Sequence, residues 1–131
     1  DGKARHRYVF SHQTLREYFV ALRLKEAWER DARRAWRFLR PRLHLPDWRE
    51  PLALLVGSLL EPEALRLLEW ILHARSQEED FLRRDLFLAA ALAAESGHAE
   101  AMWERLWPRL RRALKVRRKG GCARQWWRHW E

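Results

Sequence analysis

Apolar side chains recur every three or four residues along most of the chain, which is the period of an α-helix and not of a β-strand. The spacing is clear between residues 15 and 22 and again between residues 64 and 72. Glycine and proline, which interrupt helices, number only five each. The pattern predicts an all-α protein, with a β-prone stretch at residues 7–10 as its one candidate strand.

Helix start and stop signals divide this pattern into short helices joined by short loops. Asp47 with Glu50, and Ser76 with Glu79, have the spacing of N-terminal capping boxes. Gly97 is expected to end a helix, because glycine readily adopts the left-handed conformation that helix ends use. The expected helices run from residue 11 to about 30, from 31 to about 39, from 47, from 62 and from about 81 to 95, and a last helix is expected to kink or restart at Pro108.

The predicted helices also form pairs with a regular offset. One pair begins near Trp48, and the next follows roughly 37 residues later, which lies within the period of helical repeats. Repeats of this kind bury their apolar faces against their neighbours. The spacing therefore predicts a curved α-α superhelix.

Positive charge is concentrated at the end of the chain. The formal net charge is +9, and residues 109–131 hold nine of the 27 Lys and Arg residues but one of the 18 Asp and Glu residues. Three interpretations stay open: binding of single-stranded nucleic acid, contact with an anionic membrane surface, or a solvated helix face before a truncated repeat. The candidate polyanion-binding residues are Arg109, Arg111, Arg112, Lys115, Arg117, Arg118 and Lys119, and Trp126, Trp127 and Trp130 follow them.

The sequence lacks the short motifs of common enzyme classes. It has no GxxxxGK[ST], GxGxxG, HExxH, CxxC or GxSxG pattern, and its six histidines lack the spacing of metal ligands on one helix face. We therefore predict no catalytic residue, no metal and no cofactor held by this chain alone. The single Cys122, the lack of a long apolar run and the lack of a signal peptide favour a cytoplasmic location.

One segment has a more specific pattern. Residues 10–21 read Phe-Ser-His-Gln-Thr-Leu-Arg-Glu-Tyr-Phe-Val-Ala. This closely resembles the FxHxx[FL]QE[YF]xAA signature at the end of the winged-helix part of NACHT-type signalling NTPases, although Arg16 replaces the usual glutamine and Val20 the first alanine. Residues 48–57 and 84–90 are also similar to the region that follows NACHT modules. The matching positions of the signature are Phe10, His12, Leu15, Glu17, Tyr18 and Ala21.

The resemblance implies that the parent protein is a nucleotide-dependent signalling switch of the innate immune or antiviral-defence type. In this family the histidine at the position of His12 reaches the β-phosphate of ADP and helps to hold a closed, inactive state, and exchange for ATP, with Mg²⁺, opens it. The implied partners are the upstream NTPase module of the same polypeptide and a protein trigger or neighbouring subunits. The other signature residues are expected to be structural, with Phe10, Leu15, Tyr18 and Phe19 packing and Glu17 pairing or capping.

The same resemblance assigns residues 1–30 to the end of a winged-helix domain and residues 31–115 to HEAT-like repeats. Residues 116–131 are then a basic, Trp-rich tail or a truncated repeat. The opening at Asp1, without methionine, indicates a piece of a longer chain. Spacing alone leaves His12 open as a capping or core histidine. Two other functions stay open: a stand-alone module that binds nucleic acid through residues 109–131, and a helical scaffold for a protein partner.

Overall fold

The computed structural model describes residues 12–119, and the side chains of residues 12–115. Within residues 12–119 every regular element is helical and no strand is present, so the all-α prediction is confirmed for that range. The candidate strand at residues 7–10 lies outside the described residues. The α-helices are α1 (Gln13–Arg30), α2 (Ala32–Leu39), α3 (Arg49–Ser58), α4 (Glu61–Leu72), α5 (Glu79–Leu82), α6 (Arg84–Glu95) and α7 (Ala99–Lys119).

These helices belong to two compact units, which divide between Leu59 and Leu60. In the first unit α1 packs against α2 and α3. The buried residues of α1 are Ala21, Leu24 and Trp28, which recur at intervals of three and four. The core of this unit therefore lies against the second half of α1.

A single residue, Asp31, separates α1 from α2. Its amide still donates to the carbonyl of Ala27 at 2.9 Å, but its backbone is extended, with φ of −154° and ψ of 93°, and this ends α1. Its Oδ1 accepts from the amide of Arg34 at 3.0 Å, as an N-cap aspartate should. The predicted boundary between the first two helices is therefore confirmed, and it lies at a residue whose side chain caps α2.

The predicted capping box of Asp47 and Glu50 is wrong. A 3₁₀ turn covers Pro46–Trp48, and α3 begins one residue later with Trp48 as its N-cap and no capping hydrogen bond from a side chain. The amide of Trp48 donates to the carbonyl of Leu45 at 3.0 Å instead. Asp47 lies within this 3₁₀ turn, one residue before the N-cap position of α3, and therefore does not cap that helix.

In the second unit α4 packs against α6, and α6 packs against α7. Pro62 lies in the first turn of α4, where no intrahelical hydrogen bond is lost, but the helix begins at Glu61, one residue before the predicted start. The predicted inward face of α4 is confirmed, because all five of its residues are buried. They are Ala64, Leu67, Leu68, Ile71 and Leu72.

The connection between α4 and α6 differs from the prediction. The expected helix over 81–95 is interrupted at Arg83, whose φ of 54° is left-handed and separates the short α5 from α6. The predicted capping box of Ser76 and Glu79 is wrong as well. The amide of Ser76 donates to Oδ2 of Asp85 at 2.8 Å, and Oε2 of Glu79 accepts from the amide of Asp85 at 2.6 Å.

Gly97 ends α6 as predicted. Its φ is +79°, its amide donates to the carbonyl of Ala94 at 3.4 Å, and the amide of His98 donates to the carbonyl of Ala93 at 2.8 Å. This pair of bonds is a Schellman motif. The helix that follows, α7, continues through Pro108, so the predicted restart does not occur. Among the described helices none is long and apolar enough to cross a membrane.

Candidate functional site

His12 occupies the N-cap position of α1. Its backbone is extended, with φ of −121° and ψ of 121°, and its carbonyl accepts from the amides of Leu15 at 3.1 Å and Arg16 at 3.4 Å. Its imidazole is exposed and makes no capping hydrogen bond. His12 is therefore not a core histidine, and although it occupies the N-cap position its side chain does not cap α1.

The other signature residues are distributed along α1. Oε1 of Glu17 accepts from Nε2 of Gln13 at 2.8 Å, one turn earlier on the same helix. Ala21 is buried against the unit core. Phe10 lies outside the described residues.

Three aromatic and aliphatic signature residues lie at the surface of α1. Leu15, Tyr18 and Phe19 are 48%, 48% and 47% exposed, respectively. The rings of Tyr18 and Phe19 meet edge to face with their centroids 5.9 Å apart. Packing by these residues was predicted, but within this unit they remain about half exposed.

The two softer regions of similarity lie inside helices. Residues 49–57 belong to α3, where Pro51, Leu52, Leu55 and Val56 are buried. Residues 84–90 belong to α6, where Asp85 is fully buried together with apolar neighbours. Both regions contribute to the cores of their units, which is a structural role.

The described part of the predicted polyanion-binding set lies on α7. Arg111, Arg112 and Lys115 are exposed. Arg109 is held by the C-terminal end of α4: Nη2 donates to Nε2 of His73 at 2.9 Å, and Nη1 donates to the carbonyl of Leu72 at 3.5 Å. Three members, Arg117, Arg118 and Lys119, belong to the helical backbone of α7, and Trp126, Trp127 and Trp130 lie outside the described residues.

A cleft in the second unit brings part of this basic set together with an arginine from outside it. It has a volume of about 250 Å³. Arg83 contributes the third guanidinium of the cleft, and no sequence signal identified it because its position depends on the left-handed turn before α6. The lining residues are Glu79, Arg83, Leu86, Arg109, Arg112 and Ala113.

A pair of tryptophans lies on the outer face of α7. Trp103 and Trp107 stack with their centroids 4.9 Å apart and their planes at 11°. They are 53% and 42% exposed. The core side of α7 is formed by Met102 and Leu106, which are buried, whereas Trp103 and Leu114 are exposed. The two indole rings therefore form an exposed apolar surface on α7.

Among the described residues no group of three or more His, Cys, Asp or Glu side chains is placed to hold a metal ion. Comparison of the chain with protein-family models, with curated proteins and with solved structures finds no match.

Proposed function

We propose that this chain is the regulatory helical segment of a NACHT-type nucleotide-dependent signalling switch. His12 contacts the β-phosphate of ADP, held by an upstream NTPase module of the same polypeptide, and this contact maintains the closed state. The described helices belong to the end of a winged-helix domain and to HEAT-like repeats. The signature at residues 10–21 is the observation that carries the proposal.

The position of His12 supports this role. An imidazole at a helix start lies where backbone amides and the helix dipole favour a negatively charged group. Because the side chain of His12 is exposed and does not cap α1, it is available to donate to a phosphate oxygen. Such a contact exists only while the two domains are docked, so it couples nucleotide state to domain arrangement.

The exposed residues of α1 support the same proposal. Leu15, Tyr18 and Phe19 follow His12 along the helix and are about half exposed. Exposed apolar residues on the same helix as a phosphate-contacting histidine are suited to packing against another domain of the same protein. In this proposal the outer face of α7, with its stacked tryptophans, is the recognition surface for a protein trigger or a neighbouring subunit.

The decisive experiment measures ADP dissociation from a polypeptide that includes the upstream module. We expect His12→Ala to release ADP about tenfold faster, because a hydrogen bond to a charged group is lost. Thr14→Ala, an exposed change in the first turn of the same helix, is the matched control and should leave the rate unchanged. Equal ADP dissociation rates for wild type and His12→Ala would contradict the proposal.

The coding sequence upstream of Asp1 provides an earlier test. An in-frame GxxxxGK[ST] segment is expected there, since a P-loop would bind the nucleotide phosphates. A stop codon followed by a nearby start codon would contradict the proposal.

The exposed cations of α7 favour one alternative function, which is nucleic acid binding through residues 109–131. That function predicts affinity for single-stranded DNA that falls steeply as salt rises and disappears when this segment is deleted. The switch proposal expects only weak binding at physiological salt.

A further inference from the structure

The cleft between α5, the start of α6 and α7 is lined by three guanidinium groups and one carboxylate. Arg83 lies at the α5–α6 junction, and Arg109 and Arg112 lie three residues apart on α7, so they share one side of that helix. Arginine presents five N–H donors in a planar fork, which matches the geometry of phosphate oxygens. The lining therefore has the chemistry of an anion site.

Arg109 is held in place by contacts with the end of α4. Because a guanidinium can only donate, Nε2 of His73 must accept the hydrogen bond from Nη2 at 2.9 Å. Nδ1 of His73 then carries the proton and donates to the carbonyl of Glu69 at 2.9 Å. Arg105 forms a further ion pair between α7 and Glu69. These contacts orient α7 and leave other N–H groups of Arg109 available to a ligand.

Within the described side chains, the charges of Arg83 and Arg112 have no acidic counterpart. In the range 12–115 no carboxylate forms an ion pair with either guanidinium. Arg83 is half-buried, and its backbone is left-handed. The turn before α6 therefore determines the direction in which its side chain leaves the backbone. A bound anion would offset both charges in a partly enclosed site, where ion pairs are screened less by salt.

Glu79, the one acidic side chain among the described residues that line the cleft, already forms hydrogen bonds with α6. Its Oε2 accepts from the amide of Asp85 at 2.6 Å, and its Oε1 accepts from the amide of Leu86 at 3.4 Å. The carboxylate therefore accepts hydrogen bonds from amides in the first turn of α6, where the helix dipole favours negative charge. Three guanidiniums against this one carboxylate leave the cleft with an excess of positive charge.

We propose that this cleft binds the phosphoryl group of a small, soluble phosphorylated molecule. Its volume of about 250 Å³ accommodates a phosphate or pyrophosphate group. Pockets for drug-sized ligands span roughly 300–1,000 Å³, so the cleft is too small to enclose a whole nucleotide. This site is separate from the contact of His12 with ADP, and its existence does not depend on the proposed function.

Calorimetric titration of the full chain with pyrophosphate and with inorganic phosphate, at constant ionic strength, tests the proposal. We expect saturable binding of one anion per chain. Arg112→Gln and Arg83→Gln should each weaken binding about tenfold, because each removes charge-assisted hydrogen bonds. The matched control is Arg111→Gln, which removes the same charge from the neighbouring position of α7 but lies outside the cleft. It should weaken binding less than twofold.

Equal weakening by Arg111→Gln and Arg112→Gln would overturn the proposal, since diffuse attraction to a basic helix would then account for binding. Thermal unfolding followed by circular dichroism would verify that the variants retain the helical fold. Vesicles containing phosphatidate form a separate arm of the experiment. Binding to these vesicles without binding of soluble phosphate or pyrophosphate would also overturn the proposal, because it would assign the site to a lipid headgroup.

Discussion

The connection between α1 and α2 and the connection between α4 and α6 are stabilised in different ways. The first consists of Asp31, whose carboxylate bonds to an amide three residues later. The second covers residues 73–83. It is stabilised by the buried Asp85, whose carboxylate accepts from the amide of Ser76, nine residues earlier in the chain. It also adjoins Arg109 of α7, which contacts the end of α4 across 36 residues of sequence. The first connection depends only on residues at the ends of the two helices that it joins. The second depends on contacts with α6 and α7, so it requires that the second unit be packed.

The largest difference between the two connections should appear on removal of Asp85. Asp85→Ala leaves the amide of Ser76 without its carboxylate partner in a part-buried site, and we expect a loss of about 3 kcal/mol in the free energy of unfolding. Urea denaturation monitored by circular dichroism measures it. Asp80→Ala, an exposed change in the same connection, should alter stability by less than about 0.5 kcal/mol. Similar losses for both variants would show that Asp85 does not organise this connection.

Removal of Asp31 should have a smaller effect because the helices on either side keep their core contacts. We expect Asp31→Ala to lower the free energy of unfolding by about 1 kcal/mol, the usual value of an N-cap. Asp47→Ala is the control, since Asp47 makes no capping bond to α3. If Asp47→Ala cost as much in the same denaturation assay, the local account of the first connection would fail.

The smallest effect concerns backbone strain in the second connection. Glu78 is exposed and has a φ of 65°, a conformation that favours glycine. Glu78→Gly should raise the free energy of unfolding by about 0.5 kcal/mol, because removal of this strain exceeds the added entropy of the unfolded chain. Glu104→Gly, within α7, should instead lower it by about 1 kcal/mol. A loss of stability in Glu78→Gly would show that the side chain of Glu78 contributes a contact worth more than the strain.

Prediction from the sequence succeeded where one helix and its own ends determine the structure. The inward face of α4, the helix boundary at Asp31 and the stop at Gly97 depend on residues within a few positions of each other. It failed at Ser76 and Glu79, because the amide of Ser76 and the carboxylate of Glu79 both bond to Asp85 of α6 and not to each other as a capping box requires. The same limit applies to the cleft, because Arg83 comes close to Arg109 and Arg112 only after α6 and α7 pack together.

The sequence by itself determined the helical content of the described range, the periodicity of each helix and the position of His12 at the start of α1. These properties follow from backbone hydrogen bonds and side-chain spacing over one or two turns. Only the tertiary structure decided which side of α7 faces the core, which aromatic residues stay exposed and which arginines share a cleft. The periodic pattern is compatible with more than one inward face, and packing between helices selects one of them.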